Sequence, residues 1–172
     1  MIGSVGGQKI PPVDHYIAGF QAGAKKADPG IKTLNAYSQD FVAQDKCKEI
    51  ALNQIAKGSG VVFQVAGQCG LGALDAAKEK GKQGIGVDAD QGYLGSHILT
   101  SAQKKVDVAV FNAIKAAQAG QFQGGKDLTN ELSNDGVGYG TLDAAGQKYK
   151  AQVDKVKQDI MDGKINVPDT VK

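Results

Sequence analysis

The apolar run VVFQVA at 61–66 is bounded by glycines on both sides and followed by apolar positions at helical spacing. That is the pattern of a buried parallel strand and its crossover helix. The same alternation recurs, and four βα units are read in order. Residues 2–6 predict a first strand, after which Val13, Ile17, Phe20, Ala24 and Ala27 recur at helical spacing until Asp28-Pro29-Gly30 stops the helix. Residues 31–37 predict the second strand, and residues 44–57 a helix with Cys47, Ile50, Ala51 and Ile55 on its inner face. Residues 61–66 form the third strand, 70–80 the third helix and 83–87 the fourth strand. The fold class is therefore α/β, an open parallel sheet with helices on both faces.

Beyond residue 91 the pattern changes. A short strand at 98–100 is expected to feed a long helix capped by Ser101, with Val106, Ala109, Val110, Ala113, Ile114 and Ala117 as its apolar stripe and Gly120 at its end. The polar, glycine-rich stretch 121–140 is expected to hold short strands around 127–132 and 137–139. Leu142, Ala145, Tyr149, Val153, Val156 and Ile160 mark a final helix closed by Asp162-Gly163. No internal repeat or linker-like low-complexity segment interrupts the chain, and 172 residues suit a single domain.

Charge narrows the partners. The net charge is +2, and all 20 basic residues are lysines, spread mostly over the polar faces of helices. Without arginine there are no forked guanidinium contacts to phosphates and base edges, so nucleic acid is not an expected partner. No stretch is apolar for long enough to span a bilayer and none reads as an export leader; if the protein works outside the cytoplasm, its leader lies outside this sequence.

Ligands of open parallel sheets bind outside the carboxyl ends of the strands. Two loops leave such ends, the glycine turn GQCGLG at 67–72 and the paired-aspartate loop DADQ at 88–91. They are expected side by side on one rim. Asp88 and Asp90 can present acceptors to a ligand there, or cap loop amides. Phe41, leaving the second strand on the same rim, can stack on a flat ligand or staple the next helix. Gly67, Gln68 and Gly70 would let backbone amides approach a ligand near a helix N-terminus. Cys47 opens one helix and Cys69 the next βα turn, close to the same rim, so they read either as a disulfide of an exported protein or as two buried thiols.

Catalysis has little support. Neither His15 nor His97 is arranged with a nucleophile, and no spacing suggests a metal site. A dinucleotide site would need G-x-G-x-x-G in the first unit, whereas the third unit here has G-x-x-G-x-G. A flavin site would need hydroxyl donors after the first strand, where GGQKIPPVD stands. No cofactor is expected.

The segments IGSVGG, YIAGFQAGAKKADPGIKTLNAY, DFVAQDKCKEIA, VVFQVAGQCGLGALDAAKEKG, IGVDADQ, LTSAQKKVDVAVFNAI and GVGYG together resemble the basic membrane protein family. That family comprises substrate-binding lipoproteins of ABC transporters whose characterised members bind purine nucleosides. Members are two-lobed type I periplasmic binding proteins of roughly twice this length, clasping the ligand between lobes. The resemblance is to the carboxyl-terminal half, a flavodoxin-like lobe spanning 1–172, in which residues 102–140 would normally contribute to the other lobe. It assigns Asp88 to the ribose hydroxyls, Phe41 to the base, Gly67, Gln68 and Gly70 to backbone contacts, and Lys104 to the cleft. Asp90 belongs to the same motif. Two departures stand out: Asp40 precedes Phe41 and Ala43 occupies the place of the family's aspartate, and Gln68 stands where a second glycine is frequent. A solvated helix lysine is the alternative reading of Lys104. The implied setting is extracytoplasmic and lipid-anchored, with a membrane permease as partner of the whole protein. An isolated half would bind nucleosides weakly or not at all, and its uncovered apolar surface favours a homodimer; a ligand-free scaffold is the alternative.

Overall fold

The computed structural model describes residues 1–171. At its centre lies the apolar strand anticipated above, β3 (Val61–Val65), hydrogen-bonded on one side to β1 (Ile2–Gly6) and on the other to β4 (Gln83–Asp88). β2 (Thr33–Tyr37) extends the sheet beyond β1, and β5 (Ile98–Lys104) and β6 (Val137–Tyr139) beyond β4, giving the order β2-β1-β3-β4-β5-β6. The first five strands are parallel.

Alternation along the strands sends successive side chains to opposite faces. On one face Val5, Val62 and Ala66 meet α2 (Gln44–Ala56) and α3 (Gly70–Glu79) through Cys47, Ala51, Ala73, Ala76 and Ala77. Alanines here let the helices approach closely; a Cβ at Gly72 would sit 1.9 Å from the Gln44 carbonyl oxygen. On the other face Phe63, Val65 and Val87 pack with Val13 and Ile17 of α1 (Pro11–Ala27), and Phe20 and Phe63 have ring centroids 5.0 Å apart.

Four expectations need correction. Ser101 is not a helix cap: β5 runs on to Lys104, with Ser101 opposite Gly86, and α4 starts later, at Val106–Gln118. Ladder pairing with β4 outweighs the local preference of serine for a cap. Residues 127–132 form no strand, only a 3-10 turn at Leu132–Asn134, and β6 pairs antiparallel to β5, so the sheet is mixed at that edge. Ala102–Lys104 and Val137–Tyr139, both within the segment 102–140, pair with each other at this edge. The last helix, α5 (Lys150–Met161), begins after Leu142 and Ala145, which lie in the turn leading to it.

Candidate functional site

Because the first five strands are parallel and adjacent, their carboxyl ends and the loops that follow bring Gly7, Phe41, Gly67, Asp88 and Lys104 to one rim. The glycine turn and the DADQ loop are neighbours there, as β3 and β4 are.

Asp88 ends β4 with φ +67°, a left-handed conformation uncommon for a side-chain-bearing residue. Its Oδ1 lies 2.8 Å from the Lys104 Nζ, and both side chains are about half exposed. Lys104 thus belongs to a strand rather than a solvated helix, because β5 carries it to the end of the ladder opposite Asp88. An ion pair this open contributes little to stability. What it does is hold an ionised carboxylate with one oxygen engaged and its neighbour available for hydroxyl donors.

Asp90 is committed differently. Its carboxylate accepts from the backbone N–H groups of Thr141 and Gly92, at 2.9 and 3.2 Å. The Thr141 amide is the main reason its acidity is strengthened beyond an ordinary aspartate. Asp90 therefore ties the DADQ loop to the strand edge at Gly140, where a Cβ would come 2.8 Å from its carboxyl carbon.

Phe41 is half-buried and lies over Gly7, where a Cβ would sit 2.3 Å from the ring. Its carbonyl accepts from the Cys69 N–H at 3.0 Å, so the loop that carries it is fastened to the glycine turn. Asp40, which stands where the family pattern has no aspartate, accepts from the Val42 and Ala43 amides and pairs with Lys46 at 2.9 Å. Lys46 first, and then those amides, hold its carboxyl well below the usual carboxylate range.

Gly67 has φ +56° and packs against the Phe41 carbonyl, while Gln68 is exposed on the rim. Gly70 faces the core: a Cβ there would lie 1.8 Å from the Gln64 Oε1, and its N–H is used in a turn with the Gly67 carbonyl. Cys47 and Cys69 are joined by a disulfide, fully buried, that links the first turn of α2 to the residue preceding α3. It cross-links the loop of Phe41 to the loop of Gly67.

Three contributors escaped the sequence reading. Gly7 was legible, since IGSVGG places a glycine directly after the first strand. Tyr16 of α1 was not: its hydroxyl is buried with no hydrogen-bond partner among the described residues, and its pKa is pushed up to about 12, first by burial and then by the charge of Asp88. Gln64 was visible only as the one polar residue inside VVFQVA.

The rim is open to solvent. A groove of about 1200 Å3 runs from Tyr16, Gln103 and Lys104 down between α1 and α5, bordered by Phe20, Ile160 and Val167, and leaves Phe41 and Asp88 outside. The groove thus meets the rim at Lys104 and otherwise follows the gap between two helices. Among the described residues no cluster of three or more potential metal ligands occurs.

The family model for PnrA-like substrate-binding proteins of ABC transporters matches residues 1–171. A CD4+ T-cell-stimulating antigen of Listeria monocytogenes is 36% identical over 98% of this chain and 52% of its own length. The ABC transporter nucleoside-binding protein BmpA of Lactococcus lactis is also 36% identical, over 97% of this chain and 52% of that protein. In structure, an ABC transporter solute-binding protein from Aeropyrum pernix superimposes with a TM-score of 0.80 at 26% identity, covering 97% of this chain and 57% of that one. The chain thus spans about half the length of the relatives it matches.

Proposed function

Since the chain belongs to the Bmp family of PnrA-like ABC transporter substrate-binding proteins, we propose that its rim is one face of a purine nucleoside site. The observation that carries this is the meeting of Asp88, Lys104, Phe41 and the Gly67 turn at adjacent strand ends. A carboxylate with two acceptor oxygens can take both vicinal hydroxyl protons of a ribose, which favours a nucleoside over a free base. Lys104 keeps that carboxylate oriented and can donate to the same sugar. Phe41 offers a ring to a flat base, and Gly67 with Gln68 offers polar contacts to its edge. Asp90 and Gly70 serve this site by holding the loops. The name of the Lactococcus relative, a nucleoside-binding protein, supports the same ligand class.

In a two-lobed protein of the relatives' length, the second lobe would desolvate the nucleoside from the opposite side, and closure would present a surface to a membrane permease outside the cytoplasm. The isolated 172-residue chain supplies half the contacts, so its affinity for adenosine, guanosine or inosine is expected no tighter than about 100 μM. A thermal-shift titration against these nucleosides, with ribose and free bases as controls, checks this. Stabilisation restricted to nucleosides and abolished by Asp88→Ala is the expected result. Equal stabilisation by wild type and variant would exclude Asp88 as a contact, and calorimetry giving submicromolar affinity would overturn the half-site reading.

A homodimer of this chain is the second part of the proposal. It is favoured by α4, where Val106, Val110, Phe111 and Ile114 are each more than half exposed.

A further inference from the structure

Gln64 stands in the middle of an apolar strand and is only 1% exposed. Its Oε1 accepts the Ala66 N–H at 3.1 Å, and its Nε2 donates to the Gln91 Oε1 at 2.8 Å. The same Gln91 oxygen accepts the Val87 N–H at 3.0 Å. Two backbone donors therefore dictate which way both amides face, and only that arrangement leaves a donor pointing at an acceptor between them. The Gln91 N–H in turn donates to the buried Ser101 Oγ at 2.9 Å. Gln91 closes the loop 87–91 on itself, Gln64 bolts the closed loop to β3, and Ser101 bolts it to β5.

The neighbouring glycines testify to the space reserved for these groups. A Cβ at Gly70 would lie 1.8 Å from the Gln64 Oε1, and one at Gly86 would lie 2.6 Å from both the Gln91 Oε1 and the Ser101 Oγ. Stability alone does not call for such an arrangement, since a buried amide pair replaced by apolar groups of the same shape can be neutral or better. A buried polar link whose two carbonyl oxygens are both engaged fixes geometry instead.

We propose that Gln64 and Gln91 are positioning residues, whose buried amide-to-amide hydrogen bond sets the Asp88 carboxylate at its place on the rim relative to the glycine turn. The proposal rests on Asp88 being the ligand contact argued above. Asp88 directly follows Val87, the residue clamped by Gln91, so a slackened clamp frees the left-handed turn that aims the carboxylate.

The test is Gln64→Glu in the full chain. When protonated, the introduced carboxyl donates to the Gln91 Oε1 as the amide does; when ionised, it has no proton to give and faces an acceptor. Burial raises its pKa, so titration from about pH 5.5 to about pH 9.5 spans its ionisation, which its own carbon-13 resonance reports. The expected result is that the backbone carbon resonances of Asp88 to Gln91 match wild type while the carboxyl is protonated and depart from it in step with ionisation. The β1 and β2 resonances stay unchanged. Loop resonances that ignore the ionisation, whether wild-type or displaced throughout, overturn the proposal. Gln64→Met, an apolar side chain of similar length that removes the amide, provides a second reading if Gln64→Glu does not fold: the same loop resonances must shift, at every pH, and a wild-type loop overturns it. If wild type binds adenosine, Gln64→Glu should lose about tenfold in affinity on ionisation and regain it on protonation. A wild-type chain that binds no nucleoside leaves the site to the two-lobed whole and closes only this arm, while the spectra still decide the positioning.

Discussion

At the residue scale, Tyr16 separates burial from bonding. Its hydroxyl is enclosed near Asp88 without a partner among the described residues, an arrangement that costs free energy in either protonation state. Tyr16→Phe is therefore expected to leave thermal stability unchanged or raise it by about 1 kcal/mol, measured by urea unfolding. The direction with pH follows from the raised pKa. The neutral phenol is favoured in the folded state, so its contribution is fully present below the ordinary tyrosine value of 10.0 and is lost as pH rises through about 12. In a spectrophotometric tyrosinate titration, the last step, near 12, should vanish in Tyr16→Phe. A residual step there would show that another tyrosine carries it. Nothing in the sequence marks Tyr16, because its burial and the influence of the Asp88 charge, 72 residues away along the chain (88 − 16), arise only in the fold. The position of Asp88 on the rim was legible from the loop that follows an apolar strand, while position alone left open whether it contacts a ligand or caps loop amides.

At the scale of elements, the disulfide joins two βα units whose relative placement sets the rim proposed as the ligand face. It spans 22 residues of sequence, and both sulfurs are fully buried. Closing a loop of that length in the unfolded chain is worth about 3 kcal/mol. The double variant Cys47→Ala with Cys69→Ala should lower the urea-unfolding free energy by about that amount while keeping the fold. Alkylation of the wild type under denaturing conditions without reductant should add no mass; two labels per chain would refute the crosslink. Element boundaries show the same dependence on distant partners. TSAQ reads as a helix start from its serine, yet in the sheet it pairs with Ile85 to Asp88 and becomes strand. The loop 87–91 then gains Ser101 as an acceptor that a helix cap could not have supplied.

The whole molecule is a nearly complete α/β lobe with one unpartnered element. Among the described residues α4 buries none of its own, and Phe111 is 66% exposed. A helix of 13 residues without tertiary support is marginal in water. In dilute solution its amides should exchange with deuterium at nearly unprotected rates while those of β3 stay protected. Light scattering at rising concentration should reveal the proposed dimer, with α4 protection increasing in parallel, and Phe111→Lys should restore the monomer and abolish the concentration dependence of that protection. A monomer at every concentration would remove the dimer from the proposal. The groove between α1 and α5 and the rim are both open, in a chain that spans about half the length of the relatives it matches.

By itself the sequence determined the first four strands, the three helices between them and the common rim of Phe41, Gly67 and Asp88. Those rest on local signals: apolar periodicity, glycine stops and the parallel order that short βα units impose. Tertiary structure alone decided that β5 reaches Lys104, that β6 closes the sheet edge antiparallel, that Asp90 spends its carboxylate on Thr141, and that Gln64 reaches Gln91. Each of these depends on a partner far along the chain, and the free energy of such a contact exists only once the fold has brought the two sides together.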